Sequence, residues 1–327
     1  MLQFVSVVLL LLGFVGLIKG ADLFVDGSAS LAKTFQVPGV IIGLTVVAMG
    51  TSAPELAVST SAAIKGANEI AYSNVVGSNL MNLLLVLGVC SIIRFIPVDP
   101  AIIKRDFPFS IGITILLLLF GGAGTIFAGK LSGNMAENAG ELQRICGLIF
   151  LVIFLFYIGF LIYNAKKNPT EETDEIKTLP VWKCILFILI GLVLIVGGGQ
   201  AVVWSATNIA KFLGMTETLI GLTVVACGTS LPELVTSVVA SKKGENGMAV
   251  GNVVGSNIFN ILLILGVSTS IHPVAINMAS IYDTMILIGI NLLLFIIVCV
   301  RKKVERGTGI LMVLLYVCDV IYAIARG

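Results

Sequence analysis

Apolar residues run in long uninterrupted stretches separated by short polar connections, and neither the two-residue period of a strand nor the one-faced period of a soluble helix holds within them. A helix needs about 20 apolar residues to cross about 30 Å of hydrocarbon. Stretches of that kind fall near residues 2–31, 37–64, 70–93, 107–129 and 144–164, and again near 181–210, 215–241, 247–271, 282–300 and 308–325. A transmembrane barrel needs short alternating segments, and stretches such as Ile145 to Tyr163 do not alternate. The pattern predicts an all-α polytopic membrane protein of ten helices.

The pattern also repeats. GLTVVAMGTSAPELAVS at 43–59 returns as GLTVVACGTSLPELVTS at 221–237, and NVVGSNLMNLLLVLGV at 74–89 returns as NVVGSNIFNILLILGV at 252–267, both at an offset of 178 residues. Between the copies, AKKNPTEETDEIKTLP at 165–180 is the longest polar stretch and reads as a surface linker. The expected division is therefore 1–164, a linker at 165–180, and 181–327. Five spans precede the linker and five follow it, so an odd number per copy sends the second copy into the membrane from the opposite side. Such inverted repeats place a binding site near the midplane where the halves meet.

Composition agrees with the pattern: 57% hydrophobic residues, 12% charged, 35 glycines and a mean hydropathy of +1.08 leave too little polar surface for a water-soluble globule. The net charge of +2 comes from basic residues scattered over many short loops, so a nucleic-acid partner is not expected. Lys33, Arg94, Lys104, Arg105, Lys166, Lys167, Lys177, Lys183, Lys242, Lys243, Arg301, Lys302, Lys303 and Arg306 gather on one side, against Lys65, Lys130, Arg144, Lys211 and Arg326 on the other. That bias predicts a cytoplasmic linker with both termini outside. The six cysteines stand apart inside apolar spans without a CxxC pair and read as packing residues. The first apolar stretch lacks a basic n-region and a cleavage site, so it is expected to remain as a helix.

Each copy carries one glutamate, Glu55 or Glu233, within a membrane span, where an ionisable group is costly and marks function. Pro54 and Pro232 precede them, and a proline removes a helical donor, so the helix should break and loosen the carbonyls of Gly50 and Gly228. Thr51 and Thr229 stand four residues before the glutamates, beside Ser52 and Ser230. The next helices offer Ser78 with Asn82 and Ser256 with Asn260, again four apart and so on one face. This inventory is all oxygen, which suits Ca2+ or Na+ rather than soft metals. Two ionised glutamates hold a charge neutralised by one Ca2+ or two Na+, a sufficient basis for exchange. No cofactor and no obligate protein partner are expected, only the ions and the lipid bilayer.

At these motifs the chain resembles the cation/calcium exchanger superfamily, in particular its sodium/calcium branch, whose two α-repeats carry GTSxPE and GNxxGSNxxN/D. The resemblance spans the whole length. It implies ligation by Glu55, Glu233, Thr51, Thr229, Ser52, Ser230, Ser78, Ser256, Asn82 and Asn260, with main-chain oxygens of Ala48 and Ala226. It also implies that the first and sixth helices slide against the rest to alternate access. Many members have an aspartate where this chain has Asn260, so a potassium requirement does not carry over.

The expected function is a plasma-membrane antiporter exchanging Ca2+ for Na+. A Ca2+/H+ antiporter on the same fold is the alternative, since protonation also discharges carboxylates. A passive channel would want a ring of like residues from several subunits, and an intramembrane protease is disfavoured because His272 is the only histidine. Lys19, Asp22 and Asp26 near the end of the first helix have Gly197, Gln200 and Trp204 at the matching positions, so a salt-bridging role is expected for them. Asp319 has no matching acid and stays unassigned. GTIFAGKL at 124–131 falls short of a P-loop because Leu131 replaces the serine or threonine.

Overall fold

The structure is a computed structural model that describes residues 2–65, 68–167, 179–215 and 226–326. The first half comprises α1 (Leu2–Thr34), α2 (Gly39–Thr51), α3 (Ala53–Ile64), α4 (Ile70–Ile93), α5 (Ile102–Phe127) and α6 (Arg144–Lys167). The second comprises α7 (Val181–Phe212), α8 (Ala226–Thr229), α9 (Leu231–Lys243), α10 (Asn246–Ile271), α11 (Met278–Arg301) and α12 (Arg306–Ala325). Among the described residues, eight helices are long and apolar enough to span a membrane, and α2 with α3 forms a ninth span bent by 49°. The pair α8 and α9 carries the matching break of the second half, and residues 216–225 before it lie outside the described residues. The chain is an all-α polytopic membrane protein of ten spans in two five-helix repeats.

The inversion can be read directly from helix packing. In α1 and α7, Gly13 abuts Gly198, Gly20 abuts Gly191, and Gly27 abuts the carbonyl of Cys184, so one helix rises as the other falls. Repeat-equivalent helices therefore lie antiparallel. The approach depends on glycine: a Cβ on Gly20 would stand 2.8 Å from Leu194 Cβ and 2.9 Å from the Gly191 carbonyl. With 33 and 32 residues, α1 and α7 are about 50 Å long, well beyond the thickness of the hydrocarbon.

Burial separates the elements into a centre and a rim. The most apolar window of α10 is 89% buried and that of α4 is 72% buried, against 17% for α12. The two helices that carry Ser78, Asn82, Ser256 and Asn260 thus form the centre, and the long apolar faces of α6, α7 and α12 face outward.

Several boundaries differ from the sequence reading for physical reasons. Helix α5 begins at Ile102 rather than near 107, taking Lys104, Arg105 and Asp106 into the span. That is tolerable because Arg105 holds Asp106 through two hydrogen bonds of 2.7 and 2.9 Å, and Tyr157 donates to the same carboxylate at 3.1 Å. Helix α6 continues to Lys167, and residues 168–178, most of the expected linker, lie outside the described residues. Two short antiparallel ribbons cap the bundle: β1 (Ile96–Pro97) pairs with β4 (Lys303–Val304), and β2 (Asn138–Leu142) pairs with β3 (Val274–Asn277). Each ribbon joins a loop of one half to a loop of the other.

Candidate functional site

Both predicted helix breaks are present. Helix α2 ends at Thr51, Ser52 leaves the helical range with ψ 8°, and α3 starts at Ala53 with Pro54 in its first turn. In the second half α8 ends at Thr229, Ser230 has the same ψ of 8°, and α9 starts at Leu231 with Pro232 in its first turn. Proline is well placed there, because first-turn donors have no partner in the helix anyway. Each break leaves its glutamate in the first turn of the following helix, where the positive end of the helix dipole favours a carboxylate.

Glu55 and Glu233 are both completely buried. Ser52 donates to Glu233 Oε1 at 2.9 Å, and Ser230 donates to Glu55 Oε1 at 3.1 Å. Each carboxylate is thus held by the serine at the break of the opposite half, and the two contacts interconvert under the 178-residue offset. Ser78 adds a hydrogen bond of 2.7 Å with Ser230 and lies 3.4 Å from Glu55 Oε1. The acids therefore sit on facing segments around one centre and turn away from the hydrocarbon.

The amides behave in the same reciprocal way. Asn82 Nδ2 donates to Asn257 Oδ1 at 3.1 Å, and Asn260 Nδ2 donates to Asn79 Oδ1 at 2.9 Å. Asn79 and Asn257 exchange side-chain to main-chain hydrogen bonds, both at 3.3 Å. With their amino groups occupied, Asn82 and Asn260 keep Oδ1 unbonded, as Glu55 and Glu233 keep Oε2 unbonded. Four fully buried oxygens without donors cost stability, each on the order of 1–3 kcal/mol unless another group meets them. A hard cation is the group that such a set of two carboxylates and two amide oxygens suits. Among the described residues no cluster of three acidic, histidine or cysteine side chains occurs, so the set has no more than the two acids.

Thr51 Oγ1 lies 3.1 Å from the Val47 carbonyl and 3.0 Å from Asn252 Oδ1, and the Ala48 carbonyl accepts the Ser52 amide at 3.0 Å. Ser256 is fully buried on α10. Thr229 is half-buried and, with Pro54 and Pro232, lines a cavity of about 500 Å³ that opens along α7 past Gln200, Trp204 and Asn208. Ala226 begins α8, and residues 216–225 before it lie outside the described residues. Cys227 lies 3.4 Å from the Tyr316 hydroxyl, as a packing residue.

Sequence reasoning missed the residues that orient the site. Asn252 donates to Ser237 at 2.9 Å and Asn74 to Ser59 at 3.0 Å, tying α10 to α9 and α4 to α3. Asn74, Asn79, Asn252 and Asn257 all lie within the duplicated NVVGSN motif, so the repetition was the available signal.

Comparison with known proteins places these features in context. Residues 5–163 and 183–325 match the family described as sodium/calcium exchanger protein. The chain is 40% identical to the putative antiporter CaxA of Alkalimonas amylolytica, with 84% of each chain covered. It is 32% identical to the sodium/calcium exchanger MaX1 of Methanosarcina acetivorans, covering 96% of this chain and 97% of that one. Among solved structures, the sodium-calcium exchanger NCX_Mj superposes with a TM-score of 0.81 at 32% identity, over 98% of this chain and 99% of that one.

Proposed function

This chain belongs to the sodium/calcium exchanger family, a family of transporters, and from that membership we propose that it exchanges Ca2+ for Na+ by alternating access. The observation that carries the proposal is the set of four buried, donor-free oxygens on Glu55, Glu233, Asn82 and Asn260. Thr51, Thr229, Ser52, Ser230, Ser78, Ser256 and the carbonyls of Ala48 and Ala226 complete the proposed ligand set around them.

The mechanism follows from charge. One Ca2+ or two Na+ neutralise the two carboxylates, so the ions compete for the same oxygens and occupy the centre in turn. A centre with two uncompensated carboxylates in a low-dielectric surround is unfavourable, so the change of access is easiest when ions are bound. Exchange rather than leak is the result. The close glycine-lined contact between α1 and α7 joins the two long helices into a pair that shifts against the rest. In the proposed orientation the linker is cytoplasmic and both termini lie outside a plasma membrane, as the excess of lysine and arginine on the linker side supports.

The competing reading drives the same site with protons, because the two bare Oε2 atoms are also proton acceptors. Calcium uptake into everted vesicles, driven by an imposed sodium gradient with pH clamped on both sides, separates the two. We expect uptake that follows the sodium gradient; uptake that ignores sodium and requires a pH gradient would overturn the sodium-driven reading.

A further inference from the structure

The two halves differ in charge along the path to the site. Lys243, at the end of α9, lies 2.7 Å from Asp26 Oδ1 and 3.4 Å from Asp22 Oδ1, and donates to the Asp22 carbonyl at 3.0 Å. Three oxygens of α1 thus hold one tethered cation. Shifted back by the repeat offset, Lys243 becomes Lys65, yet the positions of Asp22 and Asp26 become Gln200 and Trp204. The offset is valid in these helices, because the Gly13–Gly198 contact maps onto the Gly191–Gly20 contact.

Gln200 and Trp204 line the cavity that reaches Pro54, Thr229 and Pro232 on one face of the protein. By the same symmetry, Asp22 and Asp26 stand where the opposite face would open toward the site, and here Lys243 bridges them to α9. The pair is partly exposed, with side-chain exposures of 29% for Lys243, 38% for Asp22 and 52% for Asp26. Ion pairs of that kind contribute little to stability. A weak contact between a helix of the sliding pair and the core suits a part that must break in every cycle better than a structural brace.

We propose that Asp22, Asp26 and Lys243 form a charged gate on this face: Lys243 bridges the acids while the face is shut, and when α1 moves away the two carboxylates line the opened vestibule and draw divalent cations into it. Two like charges on the walls of a narrow cleft raise the local concentration of counter-ions, which neutral glutamine and tryptophan do not. In the proposed orientation this is the cytoplasmic face, from which calcium is collected.

The test uses the full-length protein in proteoliposomes of known sidedness, with the apparent Ca2+ affinity measured from each face. Lys243→Gln removes the bridge and keeps the acids, so affinity should tighten about two- to fivefold on the gate face and weaken on the other, in proportion to a lost exposed pair. Asp22→Asn with Asp26→Asn removes bridge and acids together, so gate-face affinity should be weaker than in Lys243→Gln and its dependence on ionic strength should flatten. Gln200→Asp should tighten affinity at the opposite face, a gain that misfolding does not produce. Equal behaviour of the lysine and aspartate variants, or no change at either face, overturns the gate. The inference rests on the cation exchange proposed above. No exchange by the unmodified protein defeats that reading, whereas normal exchange with silent variants defeats the gate alone.

Discussion

At the scale of single residues, Glu55, Glu233, Asn82 and Asn260 each bond a partner in the other half and leave one oxygen free. Glu55→Gln removes half of the fixed negative charge while keeping shape and the Ser230 hydrogen-bond acceptor. Removing one partner of a buried charged set costs about 3–5 kcal/mol, so calcium exchange should fall by roughly a hundredfold or more. Flux in proteoliposomes, with monodisperse elution as the control for folding, checks this; retained exchange would remove the central carboxylate from the mechanism. Asn79→Ala should act differently, because it orphans the amino group of Asn260 and the main-chain carbonyl of Asn257 without removing any proposed ligand oxygen. A loss of about 1–3 kcal/mol is expected, seen as a thermal midpoint lowered by several degrees. The glutamates and their neighbours were legible in the sequence, since a charged residue in an apolar run is conspicuous. The orienting asparagines were not singled out, because an amide near a helix centre has no single-residue signature that separates a strut from a ligand.

At the scale of elements, the proline breaks and the glycine-lined contact set what can move. The breaks were legible because proline's lost donor acts locally, and the structure places the interruptions at Ser52 and Ser230, one residue after the threonines. The contact between α1 and α7 was not anticipated, since glycines within an apolar run do not say which helix they face; the family resemblance implied only that the two helices move. Gly20→Val forces a side chain against Leu194 and the Gly191 backbone. Overpacking of this kind costs about 1–3 kcal/mol, and here it falls on the contact that joins the two shifting helices. Exchange should slow by about tenfold or more while equilibrium 45Ca2+ binding to the detergent-solubilised protein persists; loss of both together would make the contact merely structural. The inclusion of Arg105 and Asp106 in α5 was hidden for the opposite reason. A neutralising pair with a tyrosine from α6 is a tertiary fact that hydropathy along one strand of sequence does not carry.

For the whole molecule, the number of spans and their grouping followed from apolar runs and the repeat, while the two ribbons at the ends of the bundle did not, being pairings between distant loops only a few residues long. Across the interface, Ser52 serves Glu233, Ser230 serves Glu55, and the asparagines of α4 and α10 serve each other. Neither half satisfies all of its own buried polar groups. Residues 1–167 expressed alone should therefore yield no exchange and little stable protein. Expression of 1–167 together with 179–327 should restore exchange in vesicles, provided both pieces insert in their native orientations. Activity of the first piece by itself would contradict the reciprocal design.

The rungs of that ladder are exchanged between equivalent residues, and such a ladder closes equally well when its two sides are the same polypeptide. A gene of half the present length, whose product entered the bilayer facing either way, could have assembled the same centre as an antiparallel homodimer. An identical pair would carry every feature twice, so the acids of α1, unmatched in α7, are a one-sided feature that two distinct copies permit and a homodimer does not.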